Sequence, residues 1–322
     1  MYCRAWPAAV AALALTCVVA LGTLCLGDAV PPGDKKFVGV TLLNLQFSFV
    51  VAVGDAMKAE AAKEGLELVC LDSARNVVTE LSQVENLITR KVDLIVMYPV
   101  DQKSSQTAAN LINKAGIPLV LLNTEFSNDF TSNGGNFVTY VGPNDVVAGE
   151  IEGHYLVNRL PEGGNVIYLA IEYGRSATEK RKAGFESVIK DHPNLRMISQ
   201  LQGYASRTKG KSIMENLLKK YGKGQLQALV AENDEMAIGA SSAIQAADRL
   251  GEFKVLIGIN GLQPGLDAVS AGTLTATVFQ DATAQGTQTI IAAGKILKGE
   301  TVKPRLVIPF QLVTKDNVSS FK

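Results

Sequence analysis

Short apolar runs alternate with segments of helical periodicity from residue 36 onward, and this alternation constrains the fold most. The first series of apolar runs covers residues 37–44, 66–72, 93–98 and 117–123, and residues 137–141 follow an irregular loop. Runs that are apolar on both faces are typical of parallel strands, because helices cover both faces of such a sheet. The crossovers between such strands are right-handed. The pattern therefore predicts a doubly wound α/β fold.

A second series of the same kind begins after the loop at residues 124–136. Its apolar runs cover residues 164–170, 196–201, 226–231 and 254–260. Residues 274–280 alternate with period two, a helical pattern spans residues 281–297, and residues 305–310 are predicted to be extended. Two series in one chain predict two similar parallel-sheet lobes. No low-complexity linker separates them, so a hinge would consist of short crossing segments.

The junction within residues 226–250 indicates where a ligand would bind. The apolar run ends at Ala231, the polar residues Glu232, Asn233 and Asp234 follow, and a helical pattern begins. Asn233 or Asp234 can cap this helix. Polar residues at the carboxyl end of a buried strand also lie where open α/β sheets bind ligands. The junction is therefore either a helix cap alone or part of a binding site.

The amino terminus has the pattern of an export signal. Arg4 precedes an uncharged stretch at residues 5–27, and small residues at 27–29 allow cleavage, which predicts a signal peptide at residues 1–29. The same stretch is long enough to serve as an uncleaved membrane anchor. Both interpretations export the rest of the chain. Only Cys70 would remain after cleavage, so no disulfide is expected within the mature chain, and Cys70 is interpreted as a small buried hydrophobic residue.

Charge and motifs exclude several classes of function. The 31 basic and 31 acidic residues cancel, so nothing favours nucleic acid as a partner. With only His154 and His192, the chain has little material for a histidine metal cluster or a Ser-His-Asp triad, and it lacks the Gly-x-Ser-x-Gly and Gly-x-Gly-x-x-Gly motifs. Residues 205–212 resemble a P-loop but carry Ala205 in place of its first glycine. We therefore expect no enzyme activity, no cofactor and no bound metal.

Several strand-end motifs resemble those of the type I periplasmic binding proteins, closest to the ribose-binding-protein group. They lie, in the expected order, at residues 71–73, 116–120, 231–240, 258–261 and 296–300. The resemblance covers residues 37–313 and implies two lobes that enclose a small solute and are joined by three crossings, near residues 141–142, 280–281 and 309. The N-terminal lobe would comprise residues 36–142 plus 281–309, and the C-terminal lobe residues 143–280 plus 310–322. It also implies a periplasmic monomer that delivers a sugar or polyol to the membrane permease of an ABC importer.

The ligand contacts of that family can be transferred to matching positions of this sequence. Phe47, Phe49 and Tyr204 would stack on the apolar face of a sugar, and Asp145 would accompany Asn144 at the first crossing. The full set that the resemblance implies is Asn44, Gln46, Phe47, Phe49, Asn123, Thr124, Asn144, Glu179, Arg181, Tyr204, Asn233, Asn260 and Gln280.

The departures from the family pattern favour a neutral ligand. Asn123 and Asn260 replace aspartates, while Thr124 and Glu179 replace basic residues. An amide offers both a donor and an acceptor, which matches hydroxyl groups. A small neutral sugar or sugar alcohol is therefore expected, whereas ribose itself is not.

The sequence allows several roles for two acidic residues and two alternative functions for the chain. Glu125 and Glu179 either bond to ligand hydroxyls, pair with a cation such as Arg175 or Arg181, or stay in water, because an unpaired buried carboxylate is costly. A ligand sensor that presents its bound form to a membrane histidine kinase would use the same site. An enzyme on a doubly wound fold is the remaining alternative.

Overall fold

Each of the two series of apolar runs forms its own six-stranded sheet. The structure is a computed structural model that describes residues 35–127 and 129–322. The predicted signal peptide at residues 1–29 lies outside the described residues, as do Cys3, Cys17 and Cys25. Among the described residues, no helix has the length and apolar character needed to cross a bilayer.

Strands and helices alternate along nearly the whole described chain. The elements up to the first passage between sheets are β1 (Phe37–Leu42), α1 (Ser48–Glu64), β2 (Glu67–Asp72), α2 (Val77–Thr89), β3 (Leu94–Met97), α3 (Gln106–Lys114), β4 (Leu119–Leu122), α4 (Asp129–Ser132) and β5 (Thr139–Gly142). Those that follow are α5 (Asp145–Arg159), β6 (Gly164–Ala170), α6 (Ser176–Ile189), β7 (Leu195–Gln202), α7 (Arg207–Lys220), β8 (Ala228–Ala231), α8 (Asp234–Ala246), β9 (Val255–Asn260), α9 (Gln263–Ala271), β10 (Ala276–Gln280), α10 (Ala282–Leu297), β11 (Arg305–Val307) and β12 (Phe310–Thr314). Two short 3-10 helices lie at Leu250–Glu252 and Val318–Phe321.

The two sheets share one topology. The strand order is β11-β5-β4-β3-β1-β2 in the first sheet and β12-β10-β9-β8-β6-β7 in the second. Every pairing is parallel except that of β12 with β10. We call the sheets with their covering helices the first lobe and the second lobe. The predicted fold class, two doubly wound lobes joined by three crossings, is confirmed.

The chain passes between the sheets three times. It leaves the first sheet after β5, returns between β10 and α10, and leaves again between β11 and β12. Residues 305–310 were expected to form one extended segment, but they contribute to two strands in different sheets. The break falls at Ile308 and Pro309, where the Ile308 N–H still donates to the Gly142 carbonyl of the first lobe at 3.0 Å.

Strands that are apolar on both faces explain why each lobe has two cores. On β3, Leu94 and Val96 belong to one buried cluster, while Ile95 and Met97 belong to the cluster on the other face, and all four are fully buried. Successive strand residues point to opposite faces, so a sheet covered by helices on both sides needs a continuous apolar run. Cys70 on β2 is half-buried and packs against the first of these clusters.

Close packing of α5 on α6 positions one part of the site. A Cβ atom on Gly149 would lie 1.8 Å from the Arg181 carbonyl oxygen, and one on Gly184 would lie 2.0 Å from that of Val146. Only glycine allows the two backbones to approach this closely. The approach brings Arg181 on α6 beside Asp145 at the start of α5.

Candidate functional site

A cavity of about 270 Å³ lies between the carboxyl ends of the strands of the two lobes. The first lobe contributes the turn after β1 and the residues that follow β3 and β4, whereas the second contributes the residues that follow β6, β8 and β9. Sites for small molecules typically occupy roughly 300 to 1,000 Å³. The cavity therefore suits a solute of one ring or one short chain.

Nine of the thirteen predicted site residues line this cavity. They are Gln46, Phe47, Phe49, Asn123, Thr124, Arg181, Asn233, Asn260 and Gln280. They come from both lobes and from the crossing after β10. The remaining four, Asn44, Asn144, Glu179 and Tyr204, lie outside the lining.

Asn44 and Asn144 shape the backbone instead of facing the cavity. The buried Asn44 side chain accepts the Gln46 N–H at 2.9 Å and so fixes the turn that leads into α1. The exposed Asn144 caps α5 by accepting the Val146 N–H at 3.3 Å. Both are cap or turn positions, where asparagine is favoured for its short side-chain oxygen.

Glu179 and Tyr204 face outward. Glu179 is exposed in the first turn of α6 and accepts the Gly174 N–H at 2.8 Å. Tyr204 is 43% exposed and has a φ of 54°, and the next residue, Ala205, lines the cavity in its place. The tight turn thus presents a different residue from the one that the resemblance implied. Glu125, the other acidic residue for which the sequence allowed several roles, pairs with Lys180 at 3.2 Å and with Arg305.

Arg181 is the centre of a buried polar network at the second-lobe side of the cavity. Its Nε donates to Asp145 at 2.9 Å, and its Nη1 donates to the Glu232 carbonyl oxygen at 2.7 Å. Its Nη2 lies 3.3 Å from Oε1 of Gln280. Arg181 and Asp145 are almost completely buried, so the guanidinium is held rigidly with a paired counter-charge.

Asn233 and Asn260 offer amide groups on the same side. The Asn233 Oδ1 caps α8 by accepting the Met236 N–H at 3.0 Å, and its Nδ2 has no partner among residues 35–127 and 129–322. The Asn260 Nδ2 donates to Gln280 at 3.2 Å, and Asn260 has a φ of 125° that side chains rarely adopt. Asn233 therefore serves both as the expected cap and as a free donor toward the cavity.

The first-lobe side has a different character. Phe49 is buried, and the half-buried Phe47 beside it has the Arg75 guanidinium 5.5 Å above its ring. The amide of Asn123 is fully engaged inside the lobe, since Oδ1 accepts the Tyr98 hydroxyl at 2.7 Å and Nδ2 donates to Gln285 at 2.6 Å. Phe47 and Phe49 therefore give this wall an aromatic surface, beside polar residues such as Gln46 and Thr124.

One buried carboxyl in each lobe supports the loops around the cavity. Glu80 accepts the Val100 N–H at 3.0 Å and also the Ser105 hydroxyl. Glu232 accepts the Ile171 N–H at 2.8 Å and the Thr178 hydroxyl at 2.9 Å. Burial raises the pKa of each carboxyl to about 7, against the lowering effect of these hydrogen bonds.

The cavity carries more charge than the amide pattern predicted. Asp101 and Arg175 line it together with Arg181. Asp101 follows the strand pattern at residues 93–98, so the strand-end rule that indicated Asn233 could have indicated Asp101 as well. Arg175 was considered only as a partner for an acidic residue. The expectation of a cavity lined largely by neutral amides is therefore wrong, because the loop after β6 brings a second guanidinium to the cavity.

Three comparisons relate the chain to known proteins. A periplasmic binding protein domain matches residues 38–301. The ribose import binding protein RbsB of Salmonella typhimurium is 32% identical over 87% of this chain and 91% of its own length. The xylitol-binding protein of Mycolicibacterium smegmatis is 31% identical over 96% of this chain and 86% of its own length.

A solved structure has the same architecture. It is an ABC transporter solute binding protein from Bacillus halodurans C-125 with bound myo-inositol, which is 33% identical and superposes with a TM-score of 0.83 over 89% of this chain and 97% of its own. The matched domain and these relatives each span most of the chain, and the relatives are binding proteins rather than enzymes. The chain therefore belongs to the periplasmic binding protein family, as a type I solute-binding protein of the ABC importer class.

Proposed function

We propose that this chain captures a neutral polyhydroxylated solute, a monosaccharide, sugar alcohol or cyclitol, and delivers it to the permease of an ABC importer. Relatives with about the same identity to this chain are named for ribose and for xylitol, and one structure holds myo-inositol. All three compounds are uncharged, and all present hydroxyl groups on a small carbon skeleton. Their shared chemistry supports the solute class, while their differences leave the individual compound to experiment.

The observation that carries this proposal is the combination of aromatic faces and hydrogen-bonding groups around one cavity. Phe47 and Phe49 offer aromatic faces on one side, which suit the C–H face of a sugar or cyclitol. Asn233, Asn260 and Arg181 offer hydrogen-bonding groups on the other. Of the two guanidinium groups that line this wall, Arg181 is paired with Asp145 at 2.9 Å and Arg175 lies 3.7 Å from Glu172. The second wall therefore donates hydrogen bonds from guanidinium groups that lie beside carboxylates of the protein, which suits an uncharged solute.

The same geometry supports capture by hinge bending. We place the lobe boundaries at residues 142/143, 280/281 and 309/310, where the chain passes between the sheets. Since both lobes contribute to the cavity, a solute bound between them would favour the closed arrangement. The receptor would act as a periplasmic monomer after cleavage of residues 1–29, and its balanced charge gives no basis for binding nucleic acid.

A thermal-shift screen tests the solute class. The mature chain would be heated with ribose, xylitol, myo-inositol and other neutral pentoses, hexoses and polyols, alongside sugar phosphates and sugar acids. A solute at one hundred times its dissociation constant adds about 2.7 kcal/mol of stability, so a specific solute is easily detected. We expect the largest shift from a neutral compound. A larger shift with an anionic compound, or turnover of any compound, would overturn the proposal.

A further inference from the structure

Charged side chains from both lobes meet at the mouth of the cavity. Arg75, in the turn between β2 and α2, forms an ion pair with Glu172, in the loop between β6 and α6. Arg175, from the same second-lobe loop, lies 3.7 Å from Glu172 and donates across the cleft to the Val100 carbonyl oxygen at 3.5 Å. One carboxylate of the second lobe therefore lies between a guanidinium of each lobe.

The turn that carries Arg75 has an unusual backbone. Ala74 and Arg75 are consecutive non-glycine residues with φ values of 48° and 59°, a region that side chains disfavour. Asp72 stabilises the turn by accepting the Ala74 N–H at 2.9 Å. The Arg75 N–H donates to the Leu43 carbonyl at 2.9 Å, and Leu43 itself lines the cavity. Such a backbone persists only where its surroundings hold it, and here it directs Arg75 toward the opposite lobe.

Arg75 also reaches the solute cavity through an aromatic ring. Its guanidinium lies 5.5 Å from the centre of the Phe47 ring, and Phe47 lines the cavity. A cation over an aromatic face restrains the ring as well as attracting it. The ion pair with Glu172 and the contact with Phe47 therefore connect closure of the mouth to the position of a cavity side chain.

We propose that Arg75, Glu172 and Arg175 form an electrostatic latch that holds the lobes closed over the solute and sets the rate at which it leaves. The proposal rests on the proposed function, because it concerns release of the captured solute. Arg75 acts as a positioning residue through Phe47 and Glu172, and it does not line the cavity. A second pair across the cleft, Lys180 with Glu125 at 3.2 Å, lies apart from the latch and supplements it.

Charge reversal tests the latch without removing a cavity residue. The variants are Arg75→Glu, Glu172→Arg and the double variant that carries both changes. The probes are tritiated ribose, xylitol and myo-inositol. Their dissociation is followed by filter binding after dilution into excess unlabelled compound. Each single reversal replaces attraction with repulsion, and we expect about tenfold faster dissociation. The double variant restores an ion pair of opposite polarity and should return the rate to within about threefold of the parent.

Salt and a matched ion pair supply the controls. Raising the salt from about 0.01 M to about 1 M shortens the Debye length from about 30 Å to about 3 Å, so dissociation should accelerate in the parent and much less in Arg75→Gln. Reversal of Lys298 and Glu64, which pair at 3.2 Å within the first lobe, should leave the rate unchanged. Parent-like dissociation in both single reversals, or no recovery in the double variant, would overturn the latch.

A ligand-free measurement separates failure of the latch from failure of the proposed function. If none of the three probes binds the parent, the proposed solute class is wrong, and small-angle scattering without solute still tests the latch. The radius of gyration should then be larger in Arg75→Glu than in the parent and should return toward the parent value in the double variant. Equal radii in all three proteins would overturn the latch in that case.

Discussion

Two turns occupy equivalent places in the two lobes. One joins β2 to α2 and the other joins β7 to α7, and both β2 and β7 are edge strands beside the first strand of their sheet. In each turn two successive residues have positive φ, Ala74 and Arg75 in the first lobe and Tyr204 and Ala205 in the second. An N-cap residue then starts the helix. The two turns have the same backbone conformation, whereas their side chains differ completely.

The difference shows how each lobe brings positive charge to the cavity. The first-lobe turn carries Arg75 at the rim, where a quarter of its side chain is exposed. At the matching place the second lobe has Ala205, whereas its Arg181 lines the cavity as an almost completely buried guanidinium paired with Asp145. A rim charge can form and break its pair as the lobes move, whereas a buried charge is part of the fold. We therefore expect Arg75 to affect binding kinetics and Arg181 to affect stability.

Replacement of each arginine by methionine should give the largest contrast. Arg181→Met leaves Asp145 buried without its partner, which costs about 3 to 5 kcal/mol of unfolding free energy. Arg75→Met removes a partly exposed pair and should cost about 1 kcal/mol or less. Urea unfolding of the protein without solute measures both values. Equal losses in the two variants would contradict the distinction between rim and buried charge.

The buried carboxyls extend the comparison to pH. Burial raises the folded-state pKa of Glu80 in the first lobe and of Glu232 in the second from 4.5 to about 7. The folded protein then binds the proton more tightly than the unfolded chain does, so the contribution of each group is full below pH 4.5 and is lost as pH rises through about 7. Each loss is on the order of 3 kcal/mol.

Glutamine variants isolate these contributions. Glu80→Gln and Glu232→Gln keep an acceptor for the Val100 and Ile171 N–H groups but cannot ionise. The difference in unfolding free energy between parent and variant, followed from pH 4.5 to about 8, should change in the same direction for both lobes. A variant that parallels the parent across this range would show that its carboxyl does not titrate there.

Asparagines on the two cavity walls should separate binding from stability. Asn233→Ser keeps a helix cap but removes the free Nδ2 donor, so binding of the best solute should weaken by about 1 to 3 kcal/mol with little loss of stability. Asn123→Ser instead breaks bonds to Tyr98 and Gln285 inside the first lobe, and the cost of about 1 to 3 kcal/mol should fall on unfolding. Calorimetric titration and urea unfolding of both variants check the assignment. Similar effects of both changes on binding would contradict it.

The sequence predicted the fold closely because one pattern, an apolar run followed by a segment of helical periodicity, repeats along the chain. Every strand of both sheets is an apolar run or an alternating segment, and β6 matches the predicted residues 164–170 at both ends. The last extended segment was the exception. Nothing local indicates that Val307 and Phe310 belong to different sheets, since that depends on how the lobes are placed.

The site was less predictable because side-chain direction depends on turns. Strand-end position indicated Asn233, and the family resemblance indicated Asn123 and Asn260; all three lie in the cavity lining. Tyr204 was assigned as an aromatic platform, yet positive φ at Tyr204 and Ala205 turns the aromatic side chain to solvent. Pairing of Arg75 with Glu172 joins residues 97 positions apart in different lobes, and no sequence spacing predicts such a contact.

Glycine substitutions in the two turns should change the unfolding free energy least. Glycine tolerates positive φ, so Ala74→Gly and Tyr204→Gly each relieve roughly 1 to 2 kcal/mol of backbone strain. Glycine also gives the unfolded chain more freedom, which offsets about 0.4 to 1 kcal/mol of that gain. Net stabilisation should therefore be about 1 kcal/mol or less and should have the same sign in both lobes. Thermal unfolding of the two variants measures the net stabilisation.

Because the Tyr204 side chain lies outside the cavity, Tyr204→Gly should also leave the affinity for the best solute unchanged. A tenfold loss of affinity, equivalent to about 1.4 kcal/mol, would show that this tyrosine contacts the solute and that the second-lobe turn, unlike the first-lobe turn, has a direct role in binding.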